Sequence, residues 1–116
     1  MSVLESFKQL KADGKKIVVV TSYEYWSAKI LNETDVDGIL IGDDSSMVIH
    51  GHENTMNSDV ETIAMHTRAV RKGAKDKFLI AAMPFMSNRK GFKEAMDNVE
   101  ILMKAGANAL KIEGVD

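Results

Sequence analysis

Four short apolar runs punctuate the chain: Ile17-Val18-Val19-Val20, Gly38-Ile39-Leu40-Ile41, Phe78-Leu79-Ile80-Ala81-Ala82 and Ala109-Leu110-Lys111-Ile112. The second has no polar alternation, which is how a strand buried on both faces of a parallel sheet reads. The first is β-branched throughout and predicts a strand. Between the runs the spacing changes to that of helices. Val3, Leu4, Phe7 and Leu10 mark a helix within 2–14, with Ser2 and Glu5 as a capping pair and Gly14 as its stop. Trp26, Ile30 and Leu31 mark a second, through about Glu33. Ser58-Asp59-Val60-Glu61 reads as a capping box opening a third, with Val60, Ile63, Ala64, Thr67 and Val70 as its buried stripe and Gly73 as its stop. Phe92, Ala95, Met96, Val99, Leu102 and Met103 stripe a fourth, ended by Gly106.

The predicted order is β-α-β-α-β-α-β with an extra helix in front. Strands alternating with helices imply right-handed crossovers and a parallel sheet. A weak internal repeat sharpens this. Val36 to Asp43 echoes Ala107 to Gly114, each a turn, a strand and an acid at or near its end. Repetition of that unit suits a (β/α) TIM-type barrel better than an open doubly wound sheet. Four strands are half of the eight that such a barrel needs, over about 250 residues. The expectation is one (β/α) domain over 1–116, the first four strands of a barrel, with self-association because a half barrel exposes strand edges and apolar sheet faces.

Composition narrows the function classes. A net charge of −2 gives no electrostatic case for nucleic acid or an anionic membrane. With no cysteine, thiolate chemistry and disulfides are excluded. No apolar run approaches the roughly 18 residues of a membrane helix, and the N-terminus lacks a signal-type apolar region; the expected compartment is the cytoplasm.

The candidate chemistry lies where strands end. Gly42 breaks the second run and Asp43 and Asp44 follow at once. A buried parallel strand that delivers an acid at its carboxyl end does so where α/β proteins place their sites. Gly-Asp-Asp-Ser-Ser is equally good solvated-turn chemistry. Asp43 and Glu113, at the ends of the second and fourth strands, together suit a hard divalent ion such as Mg²⁺. Lys111 lies two residues before Glu113, hence on the same side of its strand, where it can neutralise a bound carboxylate or form a structural ion pair. His50 and His52 form an H-x-H without a third ligand, a weak metal signal, and read as solvated or lid residues. His66 sits beside a buried helix stripe and reads as structural. Tyr25 and Trp26 read as helix-packing residues.

Taken in order, Val19-Val20-Thr21-Ser22-Tyr23, Ile41-Gly42-Asp43, Met47-Val48, His66-Thr67-Arg68-Ala69-Val70, Met83-Pro84-Phe85-Met86-Ser87 and Lys111-Ile112-Glu113-Gly114 resemble the ketopantoate hydroxymethyltransferase family over nearly the whole chain. The resemblance implies an eight-stranded barrel of the phosphoenolpyruvate-pyruvate type. It implies transfer of a hydroxymethyl group from 5,10-methylenetetrahydrofolate to a 2-oxo acid, 3-methyl-2-oxobutanoate, in pantothenate biosynthesis, with Mg²⁺. By position, Asp43 becomes a metal ligand near the oxo acid, Glu113 a residue at the metal, and Lys111 and Asp44 substrate neighbours. Two positions depart from the family: Ala82 stands where it has a second metal-binding Asp, and Asp44 where it has Ser. The family's general base is expected beyond Asp116, so this chain alone is expected to be inactive. The rival readings are an enzyme of the phosphoenolpyruvate mutase and isocitrate lyase group acting on another 2-oxo acid, and a non-catalytic fragment.

Overall fold

The computed structural model describes residues 3–42, 49–51, 53, 59–83 and 91–112, with side chains from residue 5 onward. The elements are α1 (Val3–Ala12), β1 (Val19–Thr21), α2 (Tyr25–Asn32), β2 (Gly38–Ile41), α3 (Val60–Gly73), β3 (Phe78–Ala82), α4 (Phe92–Ala105) and β4 (Ala109–Lys111). All strand pairs are parallel, and the sheet order is β1-β2-β3-β4. A strand order that follows the chain without reversal is that of a barrel wall, because an open doubly wound sheet reverses at its switch point. The fold is therefore α/β of the parallel barrel type, as the alternation of patterns predicts.

The register divides each strand between two faces. Ile39 pairs with Leu79, and Ile41 with Ala81 beside Leu110; Ile39, Ile41, Leu79 and Ala81 are buried in one core with Ala28 of α2, Ile63, Ala64 and Val70 of α3, and Leu102 and Ala105 of α4. The other face carries Thr21, Leu40, Ile80 and Ala109 in one row, with Phe78 below and Ala82 and Lys111 above. At its lower end α1 lays Phe7 edge-on against Phe78, ring centres 4.8 Å apart. Gly38 eases the pairing of β2 with β3: a Cβ there would lie 3.2 Å from the Phe78 carbonyl oxygen, while Phe7 at 3.7 Å would be in ordinary contact.

The structure corrects several boundaries. β1 begins at Val19, not Ile17, and Ile17 and Val18 are exposed. The Val18 N–H is taken by the Asp37 carboxylate (2.8 Å) and its carbonyl accepts from the Asp37 N–H, so the chain enters the sheet one side-chain bridge later than its β-branched run suggests. β4 ends at Lys111, with Ile112 outside it. The cap of α3 is Asp59, not Ser58: its carboxylate accepts from the Thr62 N–H at 2.8 Å, which holds the Asp59 carboxyl below its ordinary value. Gly73 is the last residue of that helix rather than its stop. The apolar stripe on α4 is only partly covered: Leu102 is buried, whereas Phe92 is 83% exposed and Met96 and Met103 are exposed with it. Tyr25 and Trp26 do not pack inward either; both are exposed on α2. Ser2 and Met47-Val48 lie outside the described residues.

Candidate functional site at the carboxyl ends of the strands

The residues that leave the strands gather at one end of the sheet. Ser22 and Tyr23 follow β1, Gly42 follows β2, Met83 follows β3 and Ile112 follows β4. The ladder continues into these exits, since the Ser22 N–H donates to the Leu40 carbonyl (3.2 Å) and the Met83 N–H to the Lys111 carbonyl (2.9 Å). Ser22 and Tyr23 are buried, and the Ser22 hydroxyl meets that of Ser27 at 2.7 Å; Ser27 also bonds the Glu24 carboxylate.

Lys111 closes β4 on the inner face, in register with Ala82, and is exposed. One step further along β2, beyond the Ile41–Ala81 pair, the same ladder brings Gly42 level with Ala82. The described inner-face row at the strand tips is thus Gly42, Ala82 and Lys111: no side chain on β2, a methyl on β3 and a cation on β4. Ala82 is 5% exposed. Asp43 and Asp44, directly after Gly42, and Glu113, directly after Ile112, lie outside the described residues. Among the described residues no group of three or more His, Cys, Asp or Glu side chains could hold a metal ion. The described row by itself carries no carboxylate.

His66, 7% exposed on α3, reaches the exit of β1: its Nδ1 lies 2.7 Å from the Tyr23 carbonyl oxygen. A carbonyl only accepts, so Nδ1 carries the hydrogen, and in the neutral ring Nε2 is left as acceptor. That Nε2 lies 3.1 Å from Nε2 of His50, in the connection after β2. The ring centres are 5.4 Å apart, so the rings meet nearly end to end, N–H against lone pair, instead of converging on a third point where a cation would sit. His66 is structural, as its place beside the stripe predicts. His50 is exposed at the end of this chain of hydrogen bonds, and His52 lies outside the described residues.

The opposite end of the sheet holds the arrangement that sequence reasoning missed. A cleft of about 410 Å³, lined by residues of the α3–β3 and α4–β4 connections, contains the Arg71 guanidinium. Its nitrogens donate to the carbonyls of Gly106 (3.0 and 2.8 Å), Ala74 (3.0 Å), Lys77 (2.9 Å) and Lys75 (3.3 Å) and to Asn108 Oδ1 (2.7 Å). Burial lowers the Arg71 pKa from its ordinary value, and nearby Asp76 opposes that shift. The Asn108 amide oxygen also accepts from the Leu79 N–H, and the Asn108 N–H donates to the Leu79 carbonyl, so Arg71 braces the start of β3 against the start of β4. The Arg71 guanidinium of this cleft is thus turned onto protein acceptors, at the end where barrels keep stability rather than chemistry.

A parallel sheet in chain order with helices α2, α3 and α4 packed on one face is the wall of a (β/α)-barrel protein. The chain belongs to the ketopantoate hydroxymethyltransferase family, whose model matches residues 2–116. It is 50% identical over 110 residues to a 3-methyl-2-oxobutanoate hydroxymethyltransferase of Coxiella burnetii, covering 95% of this chain and 41% of that protein. A protein of the same name from Bdellovibrio bacteriovorus is 46% identical over 114 residues, covering 98% of this chain and 43% of that protein. The chain therefore spans less than half the length of the curated relatives it matches. Among solved structures, a crystal structure of 2,3-dimethylmalate lyase, a member of the PEP mutase/isocitrate lyase superfamily, superimposes with a TM-score of 0.70 at 14% identity, over 97% of this chain and 40% of that one. That likeness concerns the fold alone. No helix among the described residues is long and apolar enough to cross a membrane.

Proposed function

We propose that this chain carries the strand-tip part of a site that transfers a hydroxymethyl group from 5,10-methylenetetrahydrofolate to 3-methyl-2-oxobutanoate, in the cytoplasm and on the route to pantothenate. The observation that supports it is Lys111: a cation at the tip of β4, on the inner face, in register with the small side chain of Ala82. Family membership supplies the reaction class. In this reading the Lys111 ammonium pairs with the carboxylate or oxo group of the 2-oxo acid. Asp43 and Asp44 meet the same substrate, and Asp43 and Glu113 hold a Mg²⁺ ion. Bound to a 2-oxo acid, such an ion withdraws electrons and acidifies the C3 proton. Ala82 contributes no oxygen to that ion, which weakens its hold. None of these residues serves as the base for the C3 proton in this reading, and the 116-residue chain by itself is expected not to turn over.

A thermal-shift series with 2-oxo acids tests the substrate assignment. 3-Methyl-2-oxobutanoate is expected to raise the melting temperature more than other 2-oxo acids, and Lys111→Ala is expected to abolish the shift. An equal response to every member, or a shift that survives Lys111→Ala, would remove Lys111 from the site. In the same samples, ketopantoate is expected to stay at background after methylenetetrahydrofolate and Mg²⁺ are added.

The cation assignment has its own variant. Ala82→Asp places a carboxylate at a position that is buried and close to Lys111 in register. Without Mg²⁺ the variant is expected to be less stable than the parent, because a buried charge is costly unless it is paired. With Mg²⁺ it is expected to recover, with affinity by titration calorimetry tighter than the parent by about tenfold or more, the scale on which even outer-shell partners of a metal act. Unchanged Mg²⁺ affinity would show that no ion sits beside position 82.

A further inference from the structure

We propose that His66 and His50 form a proton-sensitive tie at the carboxyl end of the sheet: it fastens the connection after β2 to α3 and to the exit of β1, and it comes undone when both imidazoles are protonated. The inference rests on the contact between the two rings and not on the transferase reading.

Three segments meet at His66. Its Nδ1 lies 2.7 Å from the Tyr23 carbonyl oxygen, just past β1, and its Nε2 lies 3.1 Å from His50 Nε2. His66 is 7% exposed, and Ile63 and Val70, one turn to either side of it on α3, are fully buried. The Tyr23 ring stands edge-on to it, ring centres 6.2 Å apart. One partner of the tie is therefore fixed in the core. The other is free to leave, because His50 is exposed on a turn. Gly51 follows it in the left-handed backbone region (φ 76°), where glycine carries no penalty.

A contact between two Nε2 atoms holds a single hydrogen. With both rings neutral, His66 Nδ1–H donates to Tyr23, and His50 Nε2–H donates to the His66 Nε2 lone pair. One added proton leaves that bond in place: the His50 ring takes it, and its Nε2–H then donates as a cation. A second sets N–H against N–H between two cations. No change of tautomer repairs this, because His66 Nδ1 is committed to a carbonyl that only accepts. The docked pair thus holds one added proton, whereas the separated rings hold two, and they titrate as a pair. Falling pH favours the state that binds more protons. The tie is therefore present at neutral pH and lost as pH falls through and below the ordinary imidazole range, about 6.5.

Charged groups on the neighbouring elements have other surroundings. The Glu24 carboxylate at the β1 exit bonds Ser27, and on α2 the Lys29 ammonium lies 6.0 Å from the centre of the Tyr25 ring. Glu61 and Arg68 on α3 and Glu53 in the connection are exposed. The tie lies at the end of the sheet that carries the candidate site, and the connection that it holds is the one that leaves β2 through Gly42 and Asp43. Proton uptake by the pair is thereby linked to how that segment is held.

NMR of the 116-residue chain between pH 7.5 and 5 tests this. At pH 7.5 the His66 ring is expected as its Nδ1–H tautomer, with a nuclear Overhauser contact to the His50 ring. As pH falls the docked population is expected to drop by about tenfold per pH unit below the midpoint, the slope set by one proton, while the amide signals of β2 and β3 stay in place. His50→Gln separates this from general acid unfolding. Position 50 is exposed, so the variant folds. A glutamine amide can donate to the His66 Nε2 or accept from it, and does not titrate. Its contact with His66 is expected to persist to pH 5. A ring contact in the parent chain that is indifferent to pH would overturn the proposal. So would a loss that His50→Gln shares, or a His66 ring that carries its hydrogen on Nε2 at pH 7.5.

Discussion

Arg71→Ala is expected to lower the unfolding free energy by about 3 kcal/mol, the sum of a few net charge-assisted hydrogen bonds. The side chain serves five acceptors from two connections, four of them backbone carbonyls. Truncation leaves the Gly106, Ala74 and Lys77 carbonyls without this partner and removes the brace between the entries to β3 and β4. Lys at the same position is expected to recover only part of the loss, because an ammonium cannot fork toward acceptors on both sides. Urea denaturation of the three proteins measures this. A loss under about 0.5 kcal/mol, typical of an ordinary surface substitution, would mean that water replaces the guanidinium without cost.

Gly73→Ala is expected to destabilise by about 2 kcal/mol, the middle of the usual range for overpacking. The sign is the informative part. At an exposed position inside a helix, Gly→Ala stabilises by about 0.5–1 kcal/mol. Here a Cβ would lie 2.6 Å from the Tyr25 carbonyl oxygen, 2.8 Å from the Lys29 nitrogen and 3.0 Å from the Ala28 Cβ. Two of these three atoms are backbone, and Ala28 is fully buried, so α2 has to shift away from α3 as a unit. For a domain of this size the melting temperature should fall by roughly 4–8 °C per kcal/mol. An unchanged or raised melting temperature would show that the two helices are not held at this distance.

Much of the architecture was legible because each signal is local. β2 and β3 are found at their predicted bounds, since an apolar run closed by Gly42 in one case and by Met83-Pro84 in the other has few alternatives. Elements whose limits depend on a partner were displaced. β1 starts where Gly38 is available to pair with Val19, and no propensity in Ile17-Val18 reports that. The stripe on α4 shows the same limit in another form: periodicity identifies an apolar face but not what covers it, and Phe92 is exposed. The Arg71 fork was invisible for a related reason. Arg71 and Lys72 look alike as basic residues in a last helical turn. Only the packing of two connections against each other turns one of them into a brace. At the candidate site, Lys111 is found as the last residue of β4, while Asp43, Asp44 and Glu113, the acid expected on the same side of that strand, fall outside the described residues. The end-to-end contact of His50 with His66 joins residues sixteen apart across a connection, and spacing in the sequence carries no such information.

The unreversed strand order has a consequence for synthesis. Among the described residues each strand hydrogen-bonds only to the strands immediately before and after it in the chain. As the polypeptide leaves the ribosome, every new βα unit finds its template already emerged, and no strand waits for a distant stretch still being translated. The leading edge of the growing wall is then always the most recently made of these four strands, and β1 is the template on which the other three are laid in turn.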